Sequence, residues 1–140
     1  MTVEDLAIGD WVQAVTYILD GEERLTPPAY VSAIDQSGSV SLMFDPEDGD
    51  PDEYDIEAIR PIPLTAEILT KTGFDIEEVT IYSMGEIRSF DNLCICRHCV
   101  VGQDFKTSEN YVCVIKLPIL HVHQLQHVMR MIGIDRDIWL

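Results

Sequence analysis

Short runs of apolar and β-branched residues, separated by glycine turns, occupy the first third of the chain. One of these runs alternates between apolar and polar positions, with Val40, Leu42 and Phe44 on one face and Ser39, Ser41 and Met43 largely on the other. Residues 11–19 follow a turn glycine, Gly9, and are rich in aromatic and β-branched side chains, so they are predicted as the first strand. Residues 30–34 are predicted as the second strand, after a turn at Asp20-Gly21-Glu22-Glu23, and residues 39–44 as the third. Short strands joined by glycine turns predict a small SH3-like β barrel.

The chain changes character at two closely spaced prolines, Pro61 and Pro63. Proline fixes its own φ and keeps the preceding residue out of the helical region, so residues 56–62 are predicted as a strand that leads into an extended passage. A short helix is predicted next, with Thr65 as its N-cap, Glu67 in its first turn and Gly73 at its end. This passage predicts two subdomains, a barrel-like one over residues 1–62 and an α+β one over residues 63–140.

The second subdomain is predicted as a helix, four strands and a helix. Residues 78–82 and 86–90 flank a predicted hairpin turn at 83–85, and residues 93–101 and 111–117 are predicted strands on either side of a polar loop. The final helix is predicted over about residues 121–132, where Val122, Leu125, Val128 and Met129 recur at helical spacing. The expected fold class is therefore α+β, with this helix packed on an antiparallel sheet and both subdomains in one compact unit.

Composition and charge narrow the range of partners. The 140 residues are 46% hydrophobic, and the formal net charge of −16 opposes attraction to phosphate backbones and anionic lipids. We therefore expect no direct nucleic-acid binding. No apolar run reaches the roughly 20 residues that span a bilayer, and the first residues do not resemble a signal peptide, so a cytoplasmic location without membrane association is expected.

Residues 45–57 contain eight acidic side chains and are predicted to form a solvated loop. An EF-hand calcium loop has glycine at its sixth position and oxygen ligands at the first and third. With Gly49 as that glycine, the first and third positions fall on Phe44 and Pro46. The spacing therefore does not predict a specific calcium site.

The strongest candidates for chemistry are cysteines near residue 95. Thiolate and imidazole are the preferred zinc ligands, and Cys94, Cys96 and Cys99 lie close together, with Cys113 on the following predicted strand. Zinc sites usually begin with two cysteines on a turn, whereas Cys94 and Cys96 alternate along a predicted strand. Buried core thiols without a metal or other cofactor are therefore the favoured interpretation, and zinc binding is the alternative.

Two histidines on the last predicted helix extend that alternative. His123 and His127 are four residues apart and hence on one helical face, which suits a shared metal ion. The metalloprotease signature requires a glutamate directly after the first histidine, and Gln124 occupies that position. The pair would join Cys94, Cys96 and Cys99 only if the helix packed over their strand.

Three stretches of the chain resemble one family. They are Asp5-Leu6-Ala7-Ile8-Gly9-Asp10-Trp11-Val12, Pro61-Ile62-Pro63-Leu64-Thr65 within residues 59–74, and His121-Val122-His123-Gln124-Leu125-Gln126. Together they are similar to a family of small uncharacterised proteins of Bacteroides-type bacteria and their phages. The resemblance implies a phage or prophage origin and carries no catalytic residues over to this chain. The acidity and the cysteine and histidine cluster depart from the family pattern.

No common catalytic template is present in the sequence, which lacks both a glycine-rich phosphate loop and a Gly-x-Ser-x-Gly elbow. The favoured function is a non-enzymatic interaction or accessory protein of phage or prophage origin that binds a protein partner. The alternatives are a zinc-binding protein and an acidic decoy that imitates nucleic acid. A homodimer is compatible with the short sheets but is not determined.

Overall fold

The computed structural model describes residues 1–47, 49–78, 81–88, 91–96, 99–104, 111–112, 121–131, 133 and 138–140. The chain divides into two compact units. The first unit comprises Met1–Pro63, His121–His123 and Leu140, and the second comprises Leu64–Leu120 and Gln124–Trp139. Antiparallel sheets and two α-helices give an α+β fold, which confirms the predicted class. The predicted subdomain limits, and their union in one compact unit, stay predictions.

The first unit contains one antiparallel sheet of six strands. They are β1 (Trp11–Leu19), β2 (Glu22–Leu25), β3 (Ala29–Ile34), β4 (Ser39–Met43), β5 (Asp52–Asp55) and β6 (Ile59–Pro61). Strands β3, β4 and β5 form a meander, and a 3₁₀ turn at Ile56–Ala58 leads to β6, which pairs with β1. Strand β5 pairs only with β4 among the described residues, so the sheet is not closed and the predicted SH3-like barrel is not confirmed.

Alternating side chains of these strands supply the core of the first unit. In β4, Val40 and Leu42 are fully buried while Ser39, Ser41 and Met43 are half-buried, which confirms the alternation predicted for this strand. The core cluster comprises Leu6, Val12, Ala14, Ala29, Val31, Val40, Leu42 and Ile59. Burial on one face therefore fixes the register of β3 and β4 in the sheet.

A turn before β1 joins this strand to β3. Asp10 is fully buried, and its Oδ2 accepts a hydrogen bond of 2.8 Å from the Ala7 amide. The Gly9 amide donates to the Val31 carbonyl at 2.8 Å, and the Val31 amide donates to the Asp10 carbonyl at 2.9 Å. Gly9 has a φ of 92°, a conformation that side chains other than glycine rarely adopt. Gly9 and Asp10 of the motif at residues 5–12 thus have a structural role.

Several sequence predictions for the first unit are wrong in detail. Strand β2 begins inside the predicted turn, because the turn itself needs only Asp20 and Gly21. Strand β5 lies within the predicted solvated loop of residues 45–57. The acidic composition of residues 52–55 does not predict a strand. A strand at a sheet edge needs little apolar surface, and in β5 only Tyr54 is half-buried. The predicted strand over residues 56–62 is a 3₁₀ turn followed by β6.

The second unit begins with helix α1 (Ala66–Thr72), as the capping pattern predicts. The Thr65 hydroxyl accepts a hydrogen bond of 3.3 Å from the Ile68 amide and caps the helix. Gly73 ends it with a φ of 102°, and the Phe74 amide donates to the Leu69 carbonyl. Leu69 and Phe74 are buried. The predicted N-cap and terminator of this helix are confirmed.

The sheet of the second unit has five described strands instead of the predicted four. They are β7 (Asp75–Glu78), β8 (Ile81–Arg88), β9 (Asp91–Cys96), β10 (Cys99–Asp104) and β11 (Tyr111–Val112), in the order β11-β10-β9-β8-β7. The hairpin turn predicted at residues 83–85 is wrong, because β8 is continuous and the register shifts between Ser83 and Glu86 accommodate Gly85. The single strand predicted over residues 93–101 is also wrong, because it is split between β9 and β10. Residues 105–110 and 113–117 of the predicted loop and last strand lie outside the described residues.

Helix α2 (Val122–Met131) confirms the predicted final helix. The apolar stripe of Val122, Leu125, Val128 and Met129 is buried, and Gly133 follows with a φ of 80°. In the first unit, the Val122 amide donates to the Ile62 carbonyl at 2.9 Å. Neither described helix is long and apolar enough to cross a membrane. The packing of α2 on the second sheet stays a prediction.

Candidate functional site

The structure places the cysteines of the alternative zinc site on two strands. Cys94 and Cys96 lie two residues apart in β9, and Cys99 is the first residue of β10. Cys96 and Cys99 are partners across the β9–β10 ladder. Cys113 lies outside the described residues. The alternation of Cys94 and Cys96 along a strand is confirmed, and their role as core thiols or zinc ligands stays a prediction.

The predicted histidine ligands belong to helix α2. His123 is buried, His127 is half-buried, and the ring of His123 stacks on that of His121 with 5.8 Å between centroids. Among the residues that the structure describes, no group of three or more His, Cys, Asp or Glu side chains is placed to hold a metal ion. The described residues therefore do not support a function that depends on a bound metal ion.

The most distinctive surface feature of the first unit is the hairpin formed by β1 and β2. Leu19 pairs with Glu22 across a two-residue turn, in which Asp20 has a φ of 51° and Gly21 a φ of 77°. Positive φ at both positions is the type I′ geometry that matches the twist of a hairpin, and Asp-Gly is a preferred sequence for it. The structure confines the turn predicted over Asp20-Gly21-Glu22-Glu23 to Asp20 and Gly21.

This hairpin carries three consecutive exposed apolar side chains, which we call the hairpin strip. Tyr17 is 58% exposed, Ile18 67% and Leu19 48%. Because side chains alternate along a strand, Tyr17 and Leu19 lie on one face and Ile18 on the other. Strands β3 and β6 pair with β1 only between residues 11 and 14, so this part of β1 has β2 as its described neighbour.

Hydrogen bonds to Thr26 hold the base of the hairpin. The Thr26 amide donates to the Ala14 carbonyl at 2.8 Å, and the Thr26 Oγ1 accepts from the Ala14 amide at 3.0 Å. The side-chain amide of Gln13 donates to the Thr26 carbonyl at 2.9 Å. These bonds secure the point where the chain passes from β2 towards β3.

An ion pair links the hairpin to β6. Arg60 donates from Nε to the Glu23 Oε2 at 2.8 Å and from Nη2 to the Glu23 Oε1 at 2.6 Å. Its Nη1 also donates to the Glu57 carbonyl at 2.7 Å. The hydrogen bonds from Arg60 lower the pKa of the Glu23 carboxyl below its usual range. This two-point contact orients the planar groups of both side chains.

The hairpin strip lies in a strongly acidic part of the chain. Residues 1–63 contain fifteen of the 25 acidic residues and only two of the nine basic ones, Arg24 and Arg60. Since Arg60 is paired with Glu23, Arg24 alone remains to offset the acidity with a basic side chain. This uneven distribution was readable from the sequence, whereas the exposure of the hairpin strip was not.

Comparisons of the chain with family models, with curated proteins and with solved structures found no match. The β1–β2 hairpin combines exposed apolar side chains with acidic surroundings.

Proposed function

We propose that this chain is a non-enzymatic interaction protein that binds a basic protein partner through its β1–β2 hairpin. The observation that carries this proposal is the exposure of Tyr17, Ile18 and Leu19 on a hairpin held by Thr26 and Arg60. Consecutive exposed apolar side chains on the two faces of a well-formed hairpin favour a binding role.

The hairpin strip suits association because little order has to be created on binding. A preformed hairpin avoids the entropy cost of ordering a loop, and Tyr17 offers a large, stiff side chain with a polar end. Full burial of an aliphatic side chain contributes about 1.5–3 kcal/mol, so burial of the exposed part of Ile18 would contribute about 1–2 kcal/mol. A few such contacts are enough for a specific complex.

The surrounding charge indicates the chemistry of the partner. Asp20, Glu22 and Glu23 adjoin the hairpin strip, so the complementary surface is an apolar recess with lysine or arginine at its rim. Electrostatic attraction of this kind increases the rate of encounter and falls as the salt concentration rises. A basic protein is therefore the favoured partner class.

The proposal also includes an SH3-like arrangement of the first unit and a phage or prophage origin of the chain. The path from β5 through a 3₁₀ turn to β6, which returns to β1, supports an SH3-like arrangement of the first unit. The three sequence motifs support an accessory role of phage or prophage origin in the cytoplasm. None of these points is needed for the binding test.

The test compares two isoleucines that are equally exposed. Ile18 lies in the hairpin strip, whereas Ile8, 66% exposed, lies in the turn before β1. The full chain and its Ile18→Asp and Ile8→Asp variants are each immobilised and exposed to a lysate of the encoding organism, and bound proteins are identified by mass spectrometry. The proposal expects a basic protein that is retained by the full chain and by Ile8→Asp but lost with Ile18→Asp.

The captured protein is then purified, and its dissociation constant is measured for all three chains. Equal affinity of the Ile8→Asp and Ile18→Asp variants would overturn the hairpin as the binding site. A decoy that imitates nucleic acid predicts that same equality, together with displacement of the partner by DNA. The comparison therefore separates the two functions.

A further inference from the structure

We infer that the free edge of β5 binds an extended basic polypeptide segment, which joins the first sheet as an additional strand. Strand β5 forms hydrogen bonds with β4 along one side, and within the described part of the chain no strand pairs with its other side. Strand addition at such an edge is a recurring mode of peptide recognition. This site is separate from the hairpin strip.

The register of the ladder shows which main-chain groups face the free edge. The Ile56 amide donates to the Gly38 carbonyl at 2.7 Å, in register with the β4–β5 pairing. Bonded and non-bonded pairs alternate along an antiparallel ladder, so Tyr54 is hydrogen-bonded to β4. The N–H and C=O groups of Glu53 and Asp55 therefore point away from β4, where an incoming strand can pair with them.

The side chains of β5 specify the sequence of the incoming strand. Glu53 and Asp55 are exposed on one face of the sheet, opposite Ser41 and Ser39 on β4, while Tyr54 is half-buried on the other face. An added strand places every second side chain on the face of the two carboxylates. Lysine or arginine at alternate positions of an extended segment therefore meets Glu53 and Asp55.

The carboxylates of β5 are available for such a segment. No ion pair involves Asp52, Glu53 or Asp55 in the part of the chain that the structure describes. An open depression of about 370 Å³ adjoins the end of β5 and has room for a long side chain. Its lining residues are Ser37, Gly38, Ser39, Glu53, Tyr54 and Asp55.

Charge decides between a basic segment and a second copy of this chain. Pairing two copies through β5 would bring Glu53 and Asp55 close to the same residues of the other copy, and like charges on neighbouring strands are destabilising. A segment with alternating basic side chains instead gains an opposite charge at both positions. The basic segment is therefore the occupant that the edge favours.

The probe is a nine-residue peptide that alternates lysine and threonine, titrated against the full chain at low and physiological salt. We expect saturable binding that weakens with salt and falls about tenfold in the double variant Glu53→Gln, Asp55→Asn. The matched control is the double variant Asp20→Asn, Glu22→Gln, which removes the same charge from the hairpin. An equal loss of peptide affinity in both double variants would mean that the peptide is held by non-specific electrostatic attraction, and it would overturn the proposed site.

Hydrogen exchange tests whether the probe pairs with the main chain. The amides of Glu53 and Asp55 should exchange more slowly when the peptide is bound, whereas the Tyr54 amide, already bonded to β4, should change little. Glu53→Pro removes one outward N–H, which an edge strand tolerates, and should abolish binding while the circular dichroism spectrum is retained. Absence of binding by the full chain, or binding without slower exchange, would overturn strand addition and leave the carboxylates as protection against edge-to-edge aggregation.

The same probe keeps this inference distinct from the proposed function. Ile18→Asp should leave peptide binding unchanged, and the double variant at Glu53 and Asp55 should leave capture through the hairpin strip unchanged. A negative result at the hairpin strip therefore leaves the test of the β5 edge intact, and a negative result at the β5 edge leaves the test of the hairpin strip intact.

Discussion

The hydroxyl of Thr26 gives the sharpest prediction of stability. Its Oγ1 accepts a hydrogen bond of 3.0 Å from the Ala14 amide, and both residues are buried, with Ala14 0% and Thr26 6% exposed. Thr26→Val keeps the shape of the side chain but leaves the Ala14 N–H without this acceptor. A buried donor left unsatisfied costs about 1–3 kcal/mol, so we expect the free energy of unfolding to fall by that amount.

Thr16 supplies the matched control. Its hydroxyl donates to the Arg24 carbonyl at 3.0 Å, in the same hairpin but on an exposed surface. Water replaces this bond when the hydroxyl is removed, so Thr16→Val should change the free energy of unfolding by no more than about 0.5 kcal/mol. Thr26→Ser keeps the acceptor and loses one methyl group, which costs about 0.8 kcal/mol.

Urea unfolding followed by tryptophan fluorescence measures these differences in the first unit. Trp11 is buried there, whereas Trp139, the second of the two tryptophans, is 62% exposed. Trp139→Phe is therefore introduced into every chain, so that the signal comes from Trp11 alone. The midpoint should shift at constant slope, because the surface exposed on unfolding is unchanged.

Two results would refute the reasoning about Thr26. A Thr26→Val chain as stable as the parent would mean that the Ala14 amide does not depend on this hydroxyl. Equal destabilisation by Thr16→Val and Thr26→Val would mean that loss of the hydroxyl matters irrespective of burial. The expected order of stability is parent and Thr16→Val, then Thr26→Ser, then Thr26→Val.

Two further predictions concern the same hairpin. Gly21 has a φ of 77° and nothing within 4 Å of an added Cβ, so Gly21→Ala should cost about 1–2 kcal/mol through backbone strain alone. Gly21→Asn, which tolerates this conformation, should cost less in the same urea assay, and an equal cost would contradict the strain argument. Hydrogen bonds from Arg60 hold the pKa of Glu23 below its usual value of 4.5. The stability that this ion pair contributes is therefore fully present above pH 4.5, and it is lost as the pH falls through the lowered pKa. Glu23→Gln should therefore unfold at lower urea than the parent at pH 7, and the two midpoints should converge in acid; a constant difference would argue against the ion pair.

Sequence reasoning succeeded where one local signal was sufficient. Strand β1 is rich in aromatic and β-branched residues, helix α2 has a regular apolar stripe, and α1 has a threonine cap and a glycine terminator within one short stretch. These signals act within the segment itself, so neighbouring segments do not need to be known. The α+β class followed from them.

The missed elements depend on neighbours that the sequence does not show. Strand β5 is acidic, and its identity depends on the ladder that β4 offers. Residues 93–101 were predicted as one strand because apolar residues stand on both sides of Arg97 and His98, although Cys96 and Cys99 are partners in two antiparallel strands. Local composition does not show which segment a strand pairs with, even when the two strands are consecutive in the chain, and tertiary context overrides it in such cases.

The candidate site was hidden for the same reason. Tyr17, Ile18 and Leu19 have the composition of a core strand, and the sequence assigns them to β1 together with the buried Trp11 and Val12. They are exposed because β1 extends beyond the residues that β3 and β6 cover. The relative lengths of neighbouring strands decide this exposure, and those lengths become visible only once the sheet is assembled.

The charge of the chain explains how the hairpin strip can be exposed without causing self-association. At physiological salt the Debye length is about 8 Å, so acidic side chains that adjoin the hairpin strip act on any surface that approaches it. A second copy brings the same acidic surroundings and is repelled, whereas a basic partner is attracted to the same place. The net charge of −16 therefore favours a partner of opposite charge over self-association through this strip. The hairpin strip is therefore selective for a basic partner, because its acidic surroundings repel other acidic surfaces.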